Sequence, residues 1–178
     1  MKRFAAVAAL LLPLSAAALP VPDAPNLPAA SYVLYDYDSG QVLAAKEPAL
    51  HVEPASLTKL MLVYVAFDEI RQGRVKEADE ALVSEKAWRQ GIDSKESRMF
   101  IEVGKRVAVG DLLHGIIIQS GNDASVALAE HLGGTEETFA ELMDRDAQQL
   151  GMKDTHFGNA TGALEPIAAE RRNFLKTA

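Results

Sequence analysis

The 178-residue chain contains no cysteine. That excludes a disulfide framework, a thiol nucleophile, a thiolate zinc site and iron–sulfur ligation. Aromatic residues are sparse, at 6%, and no block of Lys or Arg interrupts a formal charge of −7. Phosphate backbones are held by concentrated basic faces, so nucleic acid is excluded as the main partner. The four histidines, His51, His114, His131 and His156, show no i, i+4 pair and no carboxylate at ligand spacing. No metal site is therefore expected. Beyond the first residues no apolar run approaches the roughly 20 residues of a membrane span, so no membrane anchor is expected. What is present is ordinary: 48% hydrophobic and 24% charged residues, the balance of a soluble globular domain, at a length suited to one.

Met1-Lys2-Arg3 is a basic start, Phe4 to Leu14 an apolar run, and Ser15-Ala16-Ala17-Ala18 a small-residue stretch. This is the layout of a secretory signal peptide. Residues 1–18 are expected to be removed on export to the periplasm or cell envelope. Their loss takes Lys2 and Arg3 away and moves the formal charge from −7 to −9. Residues 19–30 carry Pro20, Pro22, Pro25 and Pro28 and read as an extended leader.

Residues 31–37 and 41–46 flank the turn Asp38-Ser39-Gly40 and read as a β-hairpin, with Tyr32, Tyr35 and Tyr37 as sheet packing. A helix is expected from Ser56 to Gln72, ended by Gly73. Its apolar residues (Leu60, Met61, Val63, Tyr64, Phe67 and Ile70) cover more than one stripe, which predicts burial on most sides. Residues 74–109 are mixed, with the trio Ala81-Leu82-Val83, then Trp88 and a polar loop. Short helices follow over 111–118 and 123–131. A third is capped by Thr135 and stopped by Gly151. Asp68, Glu69, Glu77, Asp79 and Glu80 read as a solvated acidic face. The fold class is α/β (α+β): a helical cluster with a hairpin that needs more strands to pair with.

Two short motifs carry chemistry. In Ser56-Leu57-Thr58-Lys59, positions i and i+3 share one helix face, so Lys59 can reach the Ser56 hydroxyl. A serine is a weak nucleophile without a base. A lysine serves as one only when neutral, which burial in the apolar helix would favour. Backbone N–H groups at the helix start could hold an oxyanion. By itself the motif also describes a capping serine followed by a surface lysine. Ser120-Gly121-Asn122 lies between two apolar helices, where a hydroxyl could relay a proton and an amide could hold a substrate or Lys59. By itself it is also an ordinary helix–helix turn.

Together, 64 residues apart from Ser56 to Ser120, the motifs resemble those of the penicillin-recognising serine hydrolases. The chain is more narrowly similar to the low-molecular-weight penicillin-binding proteins, D-alanyl-D-alanine carboxypeptidases of serine peptidase family S11. The resemblance runs from about Ser31 to Gly162. It is carried by Glu53 to Met61, Trp88, Gly91, Ser97-Arg98-Met99-Phe100 and Val107 to Asp111. It continues through Gly115 to Ala124, Leu150-Gly151-Met152, Thr155-His156-Phe157 and Asn159-Ala160-Thr161-Gly162. It implies a β-lactamase/transpeptidase-like fold and a partial catalytic domain over 31–162. It also implies Ser56 as acylated nucleophile, Lys59 as general base, Ser120 in proton transfer, and Asn122 positioning substrate and Lys59. The implied substrate is a peptidoglycan stem peptide ending in D-Ala-D-Ala, with β-lactams acylating the same serine and no cofactor required.

The family's third motif, K-T-G on a cleft-lining strand, is missing. Lys176-Thr177-Ala178 lacks the glycine, and no strand is expected around it. The pattern also fades over residues 163–178. The sequence therefore reads as the N-terminal part of such an enzyme, from which poor stability and little activity are expected. A class A β-lactamase is a rival reading, but Gly121 stands where that family usually has Asp. Glu165-Pro166 is its only candidate for a water-activating glutamate. A non-catalytic envelope fragment is the other rival. Asn159-Ala160-Thr161 also fits a glycosylation acceptor pattern, one that a bacterial envelope protein is not expected to use.

Overall fold

A computed structural model describes residues 23–92, 96–163 and 175–176. The signal segment 1–18, most of the tail 163–178 and Glu165-Pro166 lie outside the described residues, as does the start of the leader. Residues 23–30 form no helix or strand.

Strands β1 (Tyr32–Asp36) and β2 (Gln41–Lys46) form the expected antiparallel hairpin, with a register shift between Leu34 and Tyr35. Asp36 makes the turn: its carbonyl accepts from Gly40 N–H at 2.9 Å and its carboxylate from Ser39 N–H at 3.2 Å. Gly40 takes a positive φ of 71° there, which glycine adopts without steric cost. The hairpin contributes no residue to the buried core, and Tyr35 and Tyr37 are exposed. Tyr35 and Tyr37 are thus not packed as the sequence pattern predicts, while Tyr32 is half-buried.

The core is helical. It is built from α1 (Thr58–Arg71), α2 (Glu85–Ile92), α3 (Val109–Gln119), α4 (Asn122–Gly133) and α5 (Glu136–Gln149). Helix α4 is the centre, packed against α2, α3 and α5 and buried from Asn122 to Ala129. Ala124, Ser125, Ala127 and Ala129 allow that crowding, because small side chains let neighbouring helices approach closely on every side. Helix α5 begins as expected, with Thr135 Oγ1 accepting from Thr138 N–H at 3.1 Å.

Helix α1 departs from expectation. Met61, Leu62, Val65 and Ala66 are buried, but Leu60 is 70% exposed and Tyr64 and Phe67 about half exposed. Only one face packs against the other described elements. The mixed stretch 74–109 holds two elements the sequence reading passes over. One is α2, on which Trp88 sits. The other is strand β5 (Arg106–Ala108), antiparallel to β4 (Glu80–Leu82). Three-residue strands and an eight-residue charged helix carry little periodic signal.

Lys176 is also placed differently. The two-residue strand β6 (Leu175–Lys176) runs antiparallel to β3 (His51–Val52), with Lys176 opposite His51. Two residues are too few for any alternation to show in sequence.

Candidate active site

Ser56 lies in the single 3-10 turn Ala55–Leu57 that leads into α1, one turn from Lys59. Ala55 holds a positive φ of 47°, an unfavourable conformation for a residue with a Cβ. Its carbonyl presses against Gly162, where any Cβ would overlap it.

Gly162 ends a turn organised by Asn159. The Asn159 side-chain oxygen accepts from Thr161 N–H at 3.1 Å, Gly162 N–H at 2.7 Å and the Thr161 hydroxyl at 3.2 Å. The buried Glu136 anchors the same turn by accepting from Ala160 N–H at 3.0 Å. Asn159 is itself buried, so the acceptor pattern at 159–161 is a structural turn and not an open glycosylation site.

The turn aims the Thr161 carbonyl at Lys59. The ammonium donates to it at 2.9 Å and to Ser56 Oγ at 3.2 Å. Lys59 is only 5% exposed. Burial lowers its pKa from the ordinary lysine value to about 8, against the opposing pull of the Glu96 carboxylate. The expected depression is therefore present, and burial of the amine causes it.

Ser120 closes α3 in the left-handed region, at φ 56° and ψ 34°. That sharp turn brings its hydroxyl to 3.0 Å from Ser56 Oγ. Gly121 caps α4, and Asn122 is the first residue of that helix. The Asn122 side-chain amide donates to the Glu96 carboxylate, and its N–H donates to the Ser97 carbonyl at 2.9 Å. The expected hydrogen bond from Asn122 to Lys59 is not formed among the described residues.

The buried Asp123 pins the neighbouring segment. Its carboxylate accepts from Met99, Phe100 and Ile101 N–H at 2.7, 2.8 and 3.2 Å. Gly115 and Gly121 leave the space that Met99 fills.

Two clefts meet at Ser56. One, of about 230 Å³, is polar and is lined by Ser56, Glu96, Ser97, Asn122 and residues 161–163. The other, of about 190 Å³, runs past Lys59 and Ser120 between Leu60, Val63, Ile116 and Ile117. A hydroxyl that contacts both a low-pKa amine and a second hydroxyl, at the junction of two clefts, can give up its proton and attack a bound carbonyl. No group of His, Asp and Glu able to hold a metal occurs among the described residues.

Ser56, Lys59 and Ser120 are therefore brought together, with Asn122 lining the adjoining polar cleft that shares Ser56. The Thr161 carbonyl and Glu96 were missed by sequence reasoning. Asn159-Ala160-Thr161-Gly162 was visible as a motif but gave no hint of its contact with Lys59.

The family model for D-alanyl-D-alanine carboxypeptidase matches residues 19–168. The chain belongs to this family. A D-alanyl-D-alanine carboxypeptidase of Haemophilus influenzae, DacA, is 42% identical over 142 residues, covering 80% of this chain and 36% of the relative. The Bacillus subtilis family member DacF is 41% identical over 137 residues, covering 77% of this chain and 34% of the relative. The crystal structure of penicillin binding protein 5 from Haemophilus influenzae superposes with a TM-score of 0.79 at 38% identity. It covers 87% of this chain and 43% of that one. The fold is thus the penicillin-binding, transpeptidase-like mixture of helices and antiparallel strands. The chain spans about a third of the length of the family relatives it matches.

Proposed function

We propose that the chain carries the acylating half of a serine D-Ala-D-Ala carboxypeptidase site, acting on peptidoglycan stem peptides and acylated by β-lactams. The observation that carries this reading is the pair of hydrogen bonds that Ser56 Oγ makes with Lys59 Nζ and Ser120 Oγ. Neutral Lys59 takes the Ser56 proton as Oγ attacks the penultimate carbonyl. Developing negative charge on the carbonyl oxygen is held by the Ser56 backbone N–H, since the Leu57 N–H of the same turn is committed to the Pro54 carbonyl at 3.0 Å. Ser120 passes a proton to the leaving D-alanine, and water then releases the shortened peptide from Ser56. Asn122 orients the peptide in the polar cleft. In this reading residues 1–18 are a signal peptide, 19–30 a leader, 31–162 the partial catalytic domain and 163–178 a divergent tail. The site of action is the periplasm or cell envelope.

The test is labelling with a fluorescent penicillin. A covalent label on the folded chain is expected, and Ser56→Ala should abolish it. Nitrocefin should acylate the chain stoichiometrically without rapid turnover. A label that survives Ser56→Ala would remove Ser56 from its proposed role. No label at all on a folded chain would leave only a non-catalytic fragment.

A further inference from the structure

Glu96 is a charged side chain lining the polar cleft beside Ser56. Its carboxylate is held by a neutral amide, that of Asn122. An ionised carboxylate only accepts hydrogen bonds, so it fixes which way the amide faces. Nδ2 must point at Glu96, and Oδ1 is left as the atom Asn122 offers elsewhere.

Asn122 is only 3% exposed, and Oδ1 makes no hydrogen bond among the described residues. Yet no sealed polar side-chain atom among those residues lacks a partner, so Oδ1 opens to the cleft that Asn122 lines. The cleft therefore presents two acceptors, the Glu96 carboxylate and Asn122 Oδ1. Lys59 donates to Ser56 and Thr161 and makes no hydrogen bond to Glu96 or Asn122 among the described residues. A ligand matching this pair is a donor with positive charge.

Resting on the carboxypeptidase reading above, we infer that Glu96 is a specificity-determining residue that selects acyl peptides bearing an ammonium group near the scissile bond. The ammonium donates to the Glu96 carboxylate and to Asn122 Oδ1 while the peptide carbonyl lies over Ser56. Glu96 takes no part in bond making. Its charge also raises the Lys59 pKa, so its effect on which peptide is held is read from binding and not from turnover.

Non-covalent binding to the Ser56→Ala chain tests this without turnover. The probes are an N-acetylated Lys-D-Ala-D-Ala peptide with its side-chain ammonium intact and the same peptide acetylated on that amine. Affinities are read from amide shifts of the ¹⁵N-labelled protein at low salt. The ammonium peptide should bind about three- to ten-fold tighter, a preference that shrinks with added salt. Glu96→Gln keeps an acceptor for Asn122 and should bring the ratio to about one. Glu96→Lys should reverse it.

Equal affinity of the two peptides for the parent chain would overturn the inference. So would a preference that persists in Glu96→Gln, or no binding of the ammonium peptide to the folded chain. Failure of the carboxypeptidase reading shows separately, as a missing penicillin label on intact Ser56.

Discussion

Lys59 makes the reactivity of Ser56 depend on pH in a definite direction. With its pKa lowered to about 8, the neutral form that can accept a proton grows as pH rises. Penicillin labelling should therefore accelerate about ten-fold per pH unit below 8 and level off above it. Glu96 opposes the depression, so Glu96→Gln should move the inflection to lower pH. A rate independent of pH between 6 and 9 would mean that Lys59 is not the base. Gly162 governs the same site sterically. Gly162→Ala would strain a positive φ of 77° and force Ala55 away from its position next to Ser56. It should cost about 2–4 kcal/mol in urea unfolding and slow labelling together. Unchanged stability would show that the turn can move aside.

The helices and the segments between them set how much of this was readable beforehand. Ser56 with Lys59, and Ser120 with Asn122, were legible because their geometry is local, one turn of chain or a helix junction. Thr161 and Glu96 were not: they reach the site across 102 residues to Lys59 and 26 to Asn122, and a spacing of that length has no periodic signature. The one-sided burial of α1 was equally hidden, since a wide apolar stripe looks the same whether or not another element covers it. Segment 96–101 depends on the N-terminal turn of α4 through Asp123, whose carboxylate takes three of its N–H groups. Asp123→Ala should therefore destabilise by about 2–4 kcal/mol. It should also increase amide exchange at Met99, Phe100 and Ile101 before the rest of α4 opens. Exchange that rises uniformly would place the loss in helix packing instead.

For the molecule as a whole, the described core is confined to one side of the chain's apolar surface. Leu60, Tyr64 and Phe67 on α1 are at least 45% exposed, and Leu34, Val42 and Leu43 on the hairpin are more than half exposed. Apolar patches and open strand edges of this kind invite contact with other chains. The purified protein should bind a hydrophobic dye such as ANS and elute at larger apparent mass as concentration rises. Leu60→Lys should weaken both effects. A chain that stays monomeric at high concentration and binds no dye would show that this surface is covered in solution.

The carbonyl that receives the Lys59 ammonium lies 102 residues later in the chain. At about 5–20 residues per second of synthesis, roughly 5 to 20 seconds separate the appearance of Lys59 from that of Thr161. During that interval the nascent chain already displays its serine, but the lysine beside it has no carbonyl to hold it in place. The hydroxyl thus gains its orientation late, when the 159–162 turn docks. Reactivity therefore waits on the docking of that turn, and a chain in which it has not docked carries an unoriented serine.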